Sequence, residues 1–142
     1  MLFRSLSSRY LVFHGTIILL IGLLCGAPYG RAINRRASDH IVHSWRVAHL
    51  SLPIGAILMF AVAPLMASFT VASQIKQLIA NLLIVSGYSF CVALPLAALV
   101  GERGLSHEGS LKAKAVFAGN LLGAVTSLLA SLALVYAAFE SL

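Results

Sequence analysis

The chain alternates between four long apolar runs and shorter polar connections. The runs extend over Leu11–Tyr29, Val47–Phe69, Leu78–Val100 and Ala115–Phe139, and none contains Asp, Glu, Lys or Arg in its interior. About 20 apolar residues let an α-helix cross the ~30 Å hydrocarbon core of a bilayer, and helices satisfy their own backbone hydrogen bonds there. The pattern therefore predicts an all-α, polytopic membrane protein, a four-transmembrane-helix bundle that forms a single domain over residues 1–142.

Composition and charge support a membrane protein. Of the 142 residues, 60% are hydrophobic and 10% are charged, against roughly 25% charged in soluble domains. The net charge of +6 arises from Lys and Arg in the connections, which favours an anionic membrane face over nucleic acid as the partner. Segments 30–46 and 101–114 hold seven of the ten Lys and Arg residues. The positive-inside rule therefore predicts that both loops are cytoplasmic. We expect an integral protein of a bacterial inner membrane.

Small residues recur at every fourth position in two of the predicted helices. They are Gly22 and Gly26 in the first helix, and Ala115, Gly119, Gly123, Ser127 and Ser131 in the fourth. Such spacing lets helix backbones approach closely in lipid. Two interpretations stay open, packing within one bundle and contact between subunits.

Several function classes are disfavoured by what the sequence lacks. No carboxylate or lysine lies inside an apolar run, which argues against an ion-coupled transporter or a channel subunit. The GxSxG, HExxH, phosphate-loop and dinucleotide-binding motifs are absent. Cys25 and Cys91 lie in apolar runs without CxxC spacing, so we expect packed side chains rather than a disulfide or a zinc site. Any chemistry must come from histidines, hydroxyls, amides or a bound cofactor.

Two histidines lie inside apolar runs, His14 in the first and His49 in the second. Ionisable side chains are costly there and mark candidate functional sites. Because consecutive helices run antiparallel, the two imidazoles enter the bilayer from opposite sides, which disfavours a haem held by both within one subunit. His14 could hydrogen-bond between helices or contact a substrate, and we favour a packing role. His49 is either an interfacial residue or the single axial ligand of a haem.

The order of these features resembles the styrene oxide isomerases and the related hydroxylaminobenzene mutases, which are small four-helix membrane isomerases. The stretches that carry the likeness are Phe13-His14-Gly15, Leu23-Leu24-Cys25-Gly26, Trp45-Arg46-Val47-Ala48-His49, Gly87-Tyr88 and Arg103-Gly104-Leu105. The third stretch is similar to the family's Trp-x-x-Ala-His. The likeness covers most of the chain.

The resemblance implies a homotrimer that binds haem b between neighbouring subunits. By the match to Trp-x-x-Ala-His, His49 is the axial iron ligand, and Trp45 and Arg46 belong to the cofactor site. The implied substrate is a small lipophilic aromatic epoxide taken from the membrane lipid. Ferric haem acts on it as a Lewis acid: the ring opens towards a benzylic cation, and a hydride shift gives the aldehyde. An apolar pocket suits this reaction, because water would trap the cation.

The sequence departs from the isomerases at three polar positions. An asparagine about two turns after the ligand aligns with Gly55, and an asparagine and a tyrosine of the third helix align with Phe90 and Leu94. Tyr88 and Ser89 carry hydroxyls nearby, and they are our candidate catalytic residues, with interhelical hydrogen bonding as their alternative role. Two further functions stay open, a hydroxylaminobenzene mutase-like isomerase and a non-catalytic haem-binding membrane protein.

Overall fold

The computed structural model describes residues 5–101 and 110–142, and in these two ranges the chain forms five α-helices and no strand. The helices are α1 (Leu6–Leu24), α2 (Gly26–Asn34), α3 (Asp39–Ser68), α4 (Ser73–Val100) and α5 (Leu111–Phe139). α1 and α2 together form the first span, and α3, α4 and α5 form one span each. All four spans are long and apolar enough to cross a membrane. The predicted all-α, four-helix membrane bundle is confirmed. The Arg103-Gly104-Leu105 stretch lies outside the described residues.

The first span is interrupted at Cys25, between α1 and α2. Pro28 has no backbone N–H and cannot donate to the carbonyl of Leu24, four residues earlier. The helix restarts at Gly26, so Pro28 lies in the first turn of α2, where the missing donor is tolerated. The structure corrects the predicted helix end at Tyr29, because the proline interrupts the helix without ending the span.

The basic connection predicted between the first two spans is mostly helical. Only residues 35–38 join α2 to α3, and Arg36 takes a left-handed conformation there, with φ of 52°. α3 begins at Asp39, whose carboxylate in the first turn interacts favourably with the helix dipole. Trp45 and Arg46 therefore lie well inside α3, not at its start as predicted.

The last two helices also begin before their apolar runs. α4 starts at Ser73 instead of Leu78, and α5 starts at Leu111 instead of Ala115. The hydroxyl of Ser110 caps α5 by accepting a hydrogen bond from a first-turn backbone N–H at 3.2 Å. Apolar patterning marks the hydrocarbon core of the bilayer, whereas polar residues prolong each helix beyond it.

Small residues bring pairs of helices into close contact. A methyl group at Gly22 would lie 2.5 Å from Cδ of Pro53, and one at Gly119 would lie 2.9 Å from Cβ of Ala93. Gly123 meets α4 equally closely. These glycines therefore let α1 pack on α3 and α5 pack on α4. At these positions the small-residue spacing serves packing within one bundle rather than contact between subunits.

Hydrogen bonds join the helices at both ends of the bundle. At one end, Nε2 of His40 donates to the carbonyl of Gly101 at 2.7 Å, which ties the start of α3 to the end of α4. At the other end, the hydroxyl of Thr70 donates to the carbonyl of Glu140 at 2.9 Å. These bonds hold α3 in a defined position against its neighbours, and α3 carries the candidate ligand.

Candidate functional site

His49 lies on α3 beside the junction of α1 and α2. Its Nδ1 is 2.9 Å from the carbonyl oxygen of Gly22. Because a carbonyl oxygen can only accept, Nδ1 carries a proton, and Nε2 is the nitrogen that remains available as a ligand. This Nε2 has no hydrogen-bond partner among the described residues. Metal-ligating histidines commonly use their second nitrogen in this way, as a donor to a backbone carbonyl.

Two residues of α2 confine the His49 ring. A methyl group at Gly26 would lie only 2.9 Å from Cε1 of His49, so the glycine makes room for the imidazole. The ring of Tyr29 lies 6.1 Å from the imidazole, centroid to centroid, at an inclination of 31°. The break at Cys25 thus presents a glycine and an aromatic ring to the histidine. His49 remains partly exposed, so a cofactor can reach it from outside the protomer.

The two other residues predicted to bind the cofactor, Trp45 and Arg46, lie about one turn before His49. Trp45 packs partly buried against the apolar core, and its spacing of four residues places it on the same side of α3 as His49. Arg46 is exposed, and its Nη2 donates to Nδ1 of His43 at 2.9 Å. Its guanidinium carries further N–H groups, which suit a carboxylate such as a haem propionate.

A cavity of about 340 Å³ lies among the four spans. The described residues that form its walls are apolar apart from three serine hydroxyls, and they include Gly55, Phe90 and Leu94, the positions at which the sequence departs from the isomerases. All three departures therefore meet at one site, which they make apolar. A cavity of this size and character suits a small lipophilic molecule.

Two of the three cavity hydroxyls have committed their protons. The hydroxyl of Ser86 donates to the carbonyl of Gly123 at 2.8 Å, and that of Ser127 donates to the carbonyl of Ala124 at 2.9 Å. Ser51 has no hydrogen-bond partner in the described ranges. The sequence alone does not distinguish Ser51 from the other two serines. A serine in a helix commonly donates to a carbonyl of the same helix, so an unpaired hydroxyl cannot be recognised from its position.

His49 and the cavity lie on different sides of α3. Ser51 is two residues after His49, and Gly55 is six residues after it. At about 100° per residue, both residues point far away from the imidazole. The contacts agree, because the imidazole meets Gly22 and Gly26 on the first span, whereas Gly55 lines the cavity together with residues of α4 and α5. Within one protomer, Nε2 of His49 does not face the cavity.

The predicted catalytic residues, Tyr88 and Ser89, are not among the residues that line the cavity. The hydroxyl of Tyr88 lies 2.9 Å from Nδ1 of His14, and the two rings meet edge to face. The hydroxyl of Ser89 donates to the carbonyl of Val85 at 2.8 Å. His14 thus makes an interhelical hydrogen bond, one of the roles considered for it, and also packs against the ring of Tyr88. A catalytic role for Tyr88 and Ser89 stays a prediction.

Within residues 5–101 and 110–142, no group of three or more His, Cys, Asp or Glu side chains could hold a metal ion. The histidines at the start of α3 have separate partners: His40 donates to Gly101, and His43 accepts from Arg46. A haem iron needs only one protein ligand in its five-coordinate form. His49 bonds through one ring nitrogen and leaves the other without a partner among the described residues, which fits that role.

The fold and the site define a class of protein, a four-span α-helical membrane protein with an apolar cavity between its helices and a histidine that bonds to a backbone carbonyl of a neighbouring helix. The family model for styrene oxide isomerase matches residues 7–139, nearly the whole chain. The chain therefore belongs to the styrene oxide isomerase family, which confirms the resemblance of its sequence and supports an isomerase function. Comparison with curated proteins and with solved structures finds no match.

Proposed function

We propose that the chain is a haem-b-dependent membrane isomerase that converts a small lipophilic aromatic epoxide into the corresponding aldehyde. The observation that carries this proposal is the hydrogen bond between Nδ1 of His49 and the carbonyl of Gly22, because it leaves Nε2 free to ligate iron. Trp45 and Arg46 lie one turn away, where they complete the cofactor site. Bound ferric haem supplies a Lewis acid for the epoxide oxygen.

The apolar cavity supports the same reaction. A lipophilic substrate enters it from the bilayer, and the walls at Gly55, Phe90 and Leu94 keep water from adding to the ring-opened cation. A hydride then moves between neighbouring carbons, and the aldehyde has the same atoms as the epoxide. Because the reaction exchanges no proton overall, it does not need an acid or base among the residues that line the cavity.

A complete site needs two copies of the chain under this proposal. Since Nε2 of His49 points away from the cavity of its own subunit, a haem held by His49 would need the cavity of a neighbouring subunit to complete the site. The cavity rim carries exposed apolar side chains, Ile54 at 66% and Leu58 at 49%, which a neighbouring subunit would cover. We propose a homotrimer, the assembly that the resemblance implies.

The experiment that tests haem ligation is an absorption spectrum of the protein purified after haem-replete expression. We expect a Soret band in the wild type, its loss in His49→Ala, and its recovery when imidazole is added to that variant. His14→Ala is the matched control, because His14 bonds to Tyr88 and should leave the band unchanged. A colourless wild type, or a band that persists in His49→Ala, overturns the haem assignment.

Turnover separates the isomerase from its two alternatives. The absence of polar side chains at Gly55, Phe90 and Leu94 is the observation that keeps a mutase and a non-catalytic haem protein as candidates. Membranes that contain the protein are incubated with styrene oxide and, separately, with hydroxylaminobenzene. Phenylacetaldehyde supports the isomerase, and an aminophenol supports the mutase. Neither product, together with a six-coordinate, low-spin haem, supports the non-catalytic protein.

A further inference from the structure

Ser51 holds the one uncommitted hydroxyl proton among the side chains that line the cavity within the described ranges. Ser86 and Ser127 both donate to backbone carbonyls, whereas Ser51 has no partner there and is exposed to the cavity and its mouth. A hydroxyl in an apolar environment stabilises a bound molecule if that molecule supplies the missing acceptor. Ser51 can therefore orient a ligand that carries an acceptor atom.

Gly55 lies one turn after Ser51 on the same side of α3, and the space beside it is empty. A methyl group at Gly55 would meet no atom within 4 Å, whereas one at Gly15 would lie 2.8 Å from the ring of Phe60. The free donor at Ser51 and the open volume at Gly55 thus lie side by side in one cavity.

The volume indicates how large a ligand this arrangement accepts. A dry cavity of ~150 Å³ is sufficient to bind benzene, and the cavity here is about 340 Å³. It therefore has room for two fused rings. No charged side chain of residues 5–101 or 110–142 lines it, so a charged ligand would lose its hydration without compensation from them.

We propose that Ser51 and Gly55 determine the specificity of the cavity: Ser51 donates a hydrogen bond to the single acceptor oxygen of an uncharged aromatic ligand, and the space at Gly55 admits a second ring. The inference deepens the proposed function and rests on it for the identity of the site. Binding as such requires neither haem nor turnover, so it can be measured when both are absent.

The experiment measures binding of fluorinated probes to the full-length protein in lipid nanodiscs by ¹⁹F NMR, with empty nanodiscs as the blank. The probes are 4-fluoroacetophenone, 4-fluoroethylbenzene, which lacks the acceptor, and 2-acetyl-6-fluoronaphthalene, which adds a ring. The wild type should bind both ketones, and should prefer 4-fluoroacetophenone to 4-fluoroethylbenzene about three- to tenfold, the range of one hydrogen bond. Ser51→Ala should remove that preference and keep the affinity for 4-fluoroethylbenzene.

Gly55→Leu tests the second half of the proposal. It should lower the affinity for the naphthyl ketone about tenfold or more through steric overlap, and it should lower that for 4-fluoroacetophenone much less. Ser68→Ala and Gly30→Leu are the matched controls: Ser68 lies on α3 outside the cavity, and a side chain at Gly30 also meets no atom within 4 Å. Neither control should change probe binding.

The outcomes separate this inference from the proposed function. A wild-type preference that survives in Ser51→Ala, unchanged naphthyl ketone binding in Gly55→Leu, or no binding of any probe by the wild type overturns the specificity assignment. Probe binding that changes as expected, in a protein that forms no aldehyde from styrene oxide, supports the assignment and contradicts the isomerase proposal.

Discussion

His49 and Gly55 lie six residues apart on α3 and face different sides of the bundle. The imidazole of His49 bonds to Gly22 on the first span, whereas Gly55 lines a cavity together with residues of α4 and α5. A helix turns about 100° per residue, so this separation follows from the spacing itself. Within one chain, the imidazole of His49 is therefore directed away from the cavity that Gly55 lines.

Two inactive variants should complement each other if ligand and cavity come from different subunits. His49→Ala removes the ligand, and Gly55→Trp fills the cavity. Each is expected to be inactive alone with styrene oxide. Co-expression should restore about a quarter of wild-type turnover, because one site in four pairs an intact ligand with an intact neighbouring cavity when subunits mix at random in a ring.

The control for this experiment carries both changes on one chain, and it should stay inactive when expressed by itself. Differently tagged subunits, purified together, establish that mixed oligomers have formed. Mixed oligomers without turnover would place the ligand and the cavity in the same subunit and contradict the two-copy site.

A side chain at Gly26 should displace His49. A methyl group there would lie 2.9 Å from Cε1 of the imidazole, so Gly26→Ala should shift the ring slightly and Gly26→Val should displace it from its bond to Gly22. We expect a weakened Soret band in the first variant and loss of most of the band in the second. Absorption at equal protein concentration, with helicity checked by circular dichroism, measures the effect.

Gly30→Val is the matched control for these changes, since it lies on the same short helix and meets open space. Its Soret band should equal that of the wild type. A full band in a folded Gly26→Val variant would show that the position of the His49 ring does not limit haem binding.

Ser86 should contribute to the stability of the bundle. Its hydroxyl is buried and donates across to the carbonyl of Gly123 on α5 at 2.8 Å. Side-chain hydrogen bonds between membrane helices contribute about 0.6 kcal/mol on average and up to ~1.7 kcal/mol. Ser86→Ala should lower the free energy of unfolding by an amount in that range, measured by titration with a denaturing detergent.

Ser131→Ala provides the comparison, because its exposed hydroxyl donates within α5 itself, to the carbonyl of Ser127. It should change stability little. Equal losses in the two variants would mean that the interhelical bond of Ser86 adds nothing specific.

Tyr88→Phe separates a structural from a catalytic role for this residue. The change removes the hydrogen bond to His14 and keeps the ring. Because Tyr88 lies outside the cavity lining, we expect a loss of stability of roughly 0.6 kcal/mol, with the Soret band and styrene oxide turnover preserved. Turnover that disappears while stability and the Soret band are unchanged would instead establish Tyr88 as a catalytic residue.

Hydropathy located the four spans, yet it missed their ends. Residues such as Asp39 and Ser73 are polar and still helical, because a helix can continue into the interfacial layers where water satisfies its side chains. Pro28 was a visible signal of an interruption. Whether the chain would turn there or continue depended on the packing of α2 against α3, a tertiary contact.

The candidate site was visible in part. His49 stands out because an imidazole is rare in an apolar run, and the family match then assigns the chain to an isomerase family. The tautomer of His49 depends on its bond to Gly22, which lies 27 residues earlier. No local sequence pattern connects these two residues. The resemblance implied an apolar pocket, but its place was not foreseen, since Gly55, Phe90 and Leu94 become neighbours only when α3 and α4 pack together.

By itself the sequence determined the class of protein, the number of spans and the prominence of His49, because these depend on the cost of placing polar groups in lipid, and that cost is local to each segment. Only the tertiary structure decided that His14 bonds to Tyr88, that His49 bonds to Gly22 and that Ser51 keeps its proton free. These properties depend on which helix faces meet. Which faces meet is decided by the close approach of helices at small residues such as Gly22, Gly119 and Gly123. Such contacts join residues that are far apart in the chain.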